Sequence, residues 1–71
     1  MDKYEEFGNA IILQAVKDYR VALVALKKNP KNIAAARDRA DCERFFSGKW
    51  FAELTSIDGS LLMEKLKREV I

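Results

Sequence analysis

Apolar and small residues recur at helical spacing along the first third of the chain. Between Asp2 and about Lys28 they fall three or four positions apart, which is the period of one face of an α-helix. Acidic residues near the start of this segment and lysines at its end suit the helix dipole. The pattern predicts a first helix over about residues 2–28. Its core face is expected to consist of Tyr4, Gly8, Ile11, Ile12, Ala15, Val16, Tyr19, Ala22, Leu23 and Leu26.

The dipeptide Asn29-Pro30 predicts a short connection followed by a second helix. Asparagine is a favoured N-cap, and proline is tolerated at the first helical position because its missing N–H would have no partner there. Asn29 is therefore the expected cap of a helix over about residues 30–46. Because the connection is so short, the first two helices are expected to pack antiparallel as a hairpin.

Two shorter helices are expected in the C-terminal part of the chain. Gly48 ends the second helix, and a short third helix is expected over residues 49–55. Asp58 is a suitable N-cap for a fourth helix over about residues 58–70. The predicted fold class is all-α, with a long antiparallel helical hairpin and two shorter C-terminal helices in one domain over residues 1–71. The apolar side of the fourth helix is Leu62, Met63, Leu66 and Val70, with Leu61 adjacent.

Composition narrows the classes of site that the chain could contain. Its 71 residues include no histidine and one cysteine, Cys42, so neither a Cys/His zinc site nor a disulfide can form within one chain. No metal site and no cofactor are expected. The sequence has neither a signal peptide pattern nor an apolar run of about 18 residues, and a lone thiol suits a reducing compartment. A cytoplasmic protein is therefore expected, with no membrane partner.

The residues needed for catalysis are not grouped in this sequence. No histidine is available as a general base, and no Gly-rich phosphate loop is present. Cys42 lies within the second predicted helix among charged neighbours, without an imidazole to activate its thiol. Its expected role is that of a small buried hydrophobic residue. We therefore expect a protein that is not an enzyme.

The first helix carries more apolar residues than one core face requires. A helix that is apolar nearly all round should be buried on all sides. Either the two short helices cover the second face, or copies of the chain associate through it. Self-association into a homodimer or a higher homo-oligomer is favoured, since large exposed apolar patches usually mark interfaces. The expected interface residues on this face are Leu13, Val21 and Val24, near Ala10, with Phe7 and Ala25 at the margin.

Four aromatic residues are concentrated between the second and third predicted helices. They are Phe45, Phe46, Trp50 and Phe51. A chain this short needs most of its large apolar side chains to form a core, so the cluster is expected to be mainly buried. Trp50 is the ring best suited to remain exposed as a further interface residue, because tryptophan is enriched at binding hot spots.

A group of basic residues near the end of the fourth predicted helix allows an alternative function. Lys65, Lys67 and Arg68 could contact phosphates if the C-terminal three helices acted as a helix-turn-helix unit. The chain carries a net charge of only +2, and Asp58 and Glu64 lie on the same predicted helix. A small DNA-binding regulator is therefore the alternative, and nucleic acid is less favoured than a protein partner.

Two stretches of the sequence resemble a group of small proteins. They are NAIILQAVKDYRVALVALKKNPKN, residues 9–32, and CERFFSGKWFAELTSIDGSLLMEKLK, residues 42–67. They resemble small uncharacterised helical proteins of phages and integrated mobile elements of Gram-positive bacteria. The order ERFF, WF, LT-ID-G and LxxKL is the most specific part of the likeness. The resemblance implies an accessory protein of a mobile element in the bacterial cytoplasm, where small helical products often bind host or phage macromolecules. The leading prediction for this chain is an adaptor that binds a host or phage protein, or an inhibitor of a host system.

Overall fold

The computed structural model describes residues 3–70, with side chains for residues 9–70. Four helices follow one another along this part of the chain: α1 (Lys3–Lys28), α2 (Ile33–Ser47), α3 (Lys49–Leu54) and α4 (Gly59–Val70). All other residues between 3 and 70 lie in the connections between these helices. The expected all-α fold class is confirmed for the described part of the chain. None of these helices combines the length and apolar composition needed to cross a bilayer.

The predicted core face of α1 is confirmed where its side chains are described. Ile12, Tyr19 and Ala22 are buried, because this face packs against the other three helices. Ala15, Val16 and Leu23 are partly buried and pack against the same cluster. Each of the other helices adds at least one buried side chain to the core, namely Cys42 and Phe46 from α2, Phe51 from α3 and Leu66 from α4.

The start of α2 differs from the sequence prediction. The side-chain oxygen of Asn32 accepts a hydrogen bond from the Ala35 amide at 3.0 Å, so Asn32 is the N-cap. Asn29 instead lies in a turn, in which its carbonyl accepts from the Asn32 amide at 3.0 Å and its side chain accepts from the Lys31 amide at 3.1 Å. The prediction of Asn29 as the cap is wrong by three residues. Both asparagines have a side chain that can cap a helix. Because Asn29 takes part in the turn through Pro30, Asn32 is the one that caps α2.

The N-terminus of α4 lies directly against the C-terminal end of α2. A Cβ atom at Gly59 would collide with the backbone carbonyl of Phe46 and lie 3.4 Å from the ring of Phe51. Glycine is therefore required for this close approach. Asp58 caps the helix as predicted, since its Oδ1 accepts hydrogen bonds from the amides of Ser60 at 2.9 Å and Leu61 at 3.4 Å.

Aromatic rings join the helices at this end of the core. Phe46 meets Tyr19 at a centroid distance of 5.6 Å and Phe51 at 5.5 Å, in both cases edge-on. This geometry places the positive edge of one ring against the negative face of the other. Phe46 and Phe51 are buried, as expected for core residues, whereas Trp50 is exposed, with its ring edge-on to that of Phe45 at a centroid distance of 5.9 Å.

Polar contacts fix the C-terminal part of α4 beside α1. Arg20 Nε lies 2.9 Å from Glu69 Oε2, and Lys27 Nζ donates a hydrogen bond to the Val70 carbonyl at 2.8 Å. Because α1 is much longer than the helices packed against it, the molecule is elongated, with extents of 41 × 20 × 19 Å. One side of α1 remains open to solvent along the middle of this long axis.

Candidate interaction surface

The open side of α1 carries an apolar stripe opposite the buried face. Leu13, Val21 and Val24 are 68%, 63% and 42% exposed. Their spacing of eight and three residues keeps them on one side of a helix with 3.6 residues per turn. The structure thus brings these three predicted interface residues onto one surface, which we call the outer stripe. Ala25 is half-buried at its edge, and the side chain of Phe7 lies outside the described residues.

A groove with an acidic lining separates the outer stripe from α2. It has a volume of about 440 Å³ and is lined by Lys17, Asp18, Val21, Asp38, Asp41 and Cys42. Three carboxylates therefore face one ammonium group. Asp18 accepts a hydrogen bond from Gln14 at 2.8 Å, and Asp41 pairs with Arg44 on its own helix. Within the described side chains, no three ligating groups converge as a metal site.

A depression with a basic lining adjoins this groove. It has a volume of about 420 Å³ and is lined by Arg20, Val21, Val24, Ala25 and Lys28. It contains two cations and no carboxylate among its lining residues. The Arg20 guanidinium contacts Glu69 at the α4 side, and this ion pair is about half exposed. Val21 lines both the acidic groove and the basic depression, so the two features of opposite charge meet at this residue.

Cys42 lies at the floor of the acidic groove. The residue is buried, and its thiol contacts the Ala15 carbonyl with an Sγ to oxygen distance of 3.8 Å. Burial raises the pKa of the Cys42 thiol, and the negative charge of Asp18 raises it further. The thiol is therefore held in its protonated, weakly nucleophilic form. This agrees with the predicted role of a small buried hydrophobic residue.

Tyr19 is a buried polar residue whose importance the sequence analysis did not identify. Its hydroxyl donates a hydrogen bond to Glu43 Oε2 at 2.8 Å, and Lys67 Nζ lies 3.5 Å from the same oxygen. Burial raises the pKa of the Tyr19 phenol, and the hydrogen bond to Glu43 raises it further. The sequence pattern placed Tyr19 on the core face but gave no sign of its carboxylate partner, which is 24 residues away.

Further exposed apolar residues lie outside the outer stripe. Ile57 and Leu61 line a third depression, of about 490 Å³, beside α4. Leu61 was recognised as adjacent to the apolar side of its helix. Ile57 was missed because it lies in a connection, where helical periodicity gives no signal. Ile33 and Trp50 are also exposed, which for Trp50 agrees with its predicted place among the interface residues.

The three basic residues of the DNA-binding alternative do not share one surface. Lys65 and Arg68 line the third depression together with the carboxylates of Asp58 and Glu64. Lys67 points to another side of α4, where it approaches Glu43. The three positive charges therefore lie on two different sides of α4, and each side also carries carboxylates.

Three comparisons bear on the relationships of the chain. Protein-family models, curated protein sequences and solved structures all give no match to it.

Proposed function

We propose that the protein is a non-enzymatic protein-interaction module that forms a homo-oligomer through the outer stripe of α1. The observation that carries this proposal is the exposure of Leu13 and Val21, large apolar side chains that are each more than 60% exposed on the helix that packs against the other three. Covering apolar surface contributes about 25 cal/mol per Å², which favours a partner at this position.

The proposal includes an antiparallel hairpin of α1 and α2. The connection over residues 29–32 is short, and short connections favour antiparallel neighbours. The contacts of Tyr19 with Glu43 and Phe46 support close packing of the two helices. In this arrangement α2, α3 and α4 cover the inner face of α1, and the outer stripe remains for a partner.

The proposed setting is the bacterial cytoplasm, with the protein acting as an adaptor of a phage-like mobile element. The resemblance of residues 9–32 and 42–67 supports this setting. Inhibition of a host system is the form of activity that can be tested directly. Expression of the protein in a Gram-positive host should alter growth or phage replication, and this effect should disappear when Leu13 and Val24 are replaced by glutamate. Equal effects of the native and altered proteins would contradict the proposal.

The oligomer is tested by light scattering across a concentration series with the double variant Leu13→Glu and Val24→Glu. Two charges on the outer stripe should prevent association and leave a folded monomer, because neither side chain is buried. Circular dichroism checks that the helices are intact. Loss of folding would instead show that these positions belong to the core.

A matched control carries the same change at another surface. Ile33 and Leu61 are 72% and 61% exposed and lie outside the outer stripe, so Ile33→Glu with Leu61→Glu adds the same charge. The control should have the mass of the unaltered oligomer. A monomeric native protein at all concentrations, or equal masses for the two double variants, would show that the outer stripe is not the site of association.

A further inference from the structure

We infer that a second copy of the chain docks about a two-fold axis beside Val21, so that the acidic groove of each copy covers the basic depression of the other. This inference rests on the proposed self-association and specifies its geometry. In a two-fold interface the same patch is used by both copies, and features on one side of the axis meet the features on the other side.

Charge complementarity places the axis at Val21. Arg20 is paired with Glu69, and Asp41 with Arg44, within the chain. The acidic groove therefore keeps Asp18 and Asp38 against Lys17, whereas the basic depression keeps Lys28. An axis between the two features brings opposite charges together twice, once on each side. An axis through the middle of either feature would instead oppose like charges, which costs free energy in an interface.

Disulfide cross-linking tests the position of the axis. In a Cys42→Ala background, Val21→Cys places two thiols next to the axis, and a disulfide should form readily upon oxidation. A residue that lines only the basic depression faces the acidic groove of the other copy, so it is held on the opposite side of the axis from its own counterpart. A disulfide spans at most ~7 Å between Cα atoms, so such a residue should cross-link poorly.

Val24→Cys in the same background is the matched control. Val24 lies on the outer stripe close to Val21, but it lines the basic depression and not the acidic groove. We expect cross-linking at least tenfold faster through position 21 than through position 24. Equal rates, or faster cross-linking through position 24, would overturn the inferred geometry while the proposed function stands, provided that light scattering still detects an oligomer. A monomeric native protein would overturn both.

Charge exchange tests the complementarity itself. Asp38→Lys and Lys28→Glu should each weaken self-association about tenfold, because like charges then meet on both sides of the axis. A mixture of the two variants should restore the native affinity, since both contacts in the mixed dimer are again between opposite charges. Glu53→Lys and Lys49→Glu are the controls, because both residues are exposed on α3 and should leave the affinity unchanged. A mixture that binds no more tightly than the separate variants would contradict the inference.

Discussion

At the scale of single residues, Tyr19 shows how a polar group is accommodated in a small core. Its ring is fully buried and contacts Phe46, while its hydroxyl reaches Glu43 at the margin of the core. A buried hydroxyl without a partner would cost about 1–3 kcal/mol, so the carboxylate of Glu43 is as much part of the packing as the ring is. The nearby ammonium of Lys67 balances the charge of that carboxylate.

The raised pKa of Tyr19 predicts a loss of stability at alkaline pH. Above about pH 10 the unfolded chain releases the phenolic proton while the folded chain still binds it. The folded state then binds more protons, so the free energy of unfolding falls with rising pH, by up to about 1.4 kcal/mol per pH unit from this group. Replacing Tyr19 by phenylalanine should lower the free energy of unfolding by about 1 kcal/mol near neutral pH, because the hydrogen bond to Glu43 is lost. Above about pH 10, the free energy of unfolding of this variant should fall less steeply with pH than that of the native protein.

Chemical denaturation from pH 8 to 11 measures this difference. The quantity to compare is the slope of the native protein minus that of Tyr19→Phe, because all other contributions to the slope are common to both proteins. Parallel curves for the two proteins would show that Tyr19 ionises equally easily in the folded and unfolded states.

At the scale of helices, sequence periodicity predicted most of the secondary structure. The core face of α1 and the cap at Asp58 follow from local rules, because a face of spaced apolar residues and a capping side chain each act within a few residues. The start of α2 was misplaced because Asn29 and Asn32 satisfy the same local rule. Only the turn that joins the two helices determines which asparagine becomes the cap.

The two asparagines therefore differ in their contribution to stability. Asn32→Ala removes the acceptor for the Ala35 amide and should destabilise the protein by about 1 kcal/mol. Asn29→Ala, the matched control, removes only a bond within the turn and should cost clearly less. The free energy of unfolding measures both effects. A larger loss for Asn29→Ala would mean that α2 begins at Pro30 in solution.

At the scale of the whole molecule, the sequence predicted the exposed stripe but not the charges beside it. Leu13, Val21 and Val24 are linked by helical periodicity alone, so their common face follows from one helix. The acidic groove joins Asp18 of α1 with Asp38 and Asp41 of α2, which are about twenty residues distant in sequence. Their proximity depends on how two helices pack, and a single sequence contains no local signal for it.

If copies of the chain associate as proposed, the thermal stability of the protein should depend on its concentration. Unfolding of a dimer yields two chains, so each tenfold increase in concentration favours the folded state by about 1.4 kcal/mol. With an unfolding entropy of about 2.1 cal/mol/K per residue, two chains of 71 residues give a rise in Tm of about 5 °C per tenfold increase.

Circular dichroism melts over a hundredfold range of concentration measure this shift, with Leu13→Glu and Val24→Glu as the monomeric control. The Tm of this control should not change with concentration, because its folded and unfolded states contain the same number of molecules. If the Tm of the native protein is equally constant over the whole range, the outer stripe of α1 remains exposed to solvent. The core formed by one chain is then sufficient for stability.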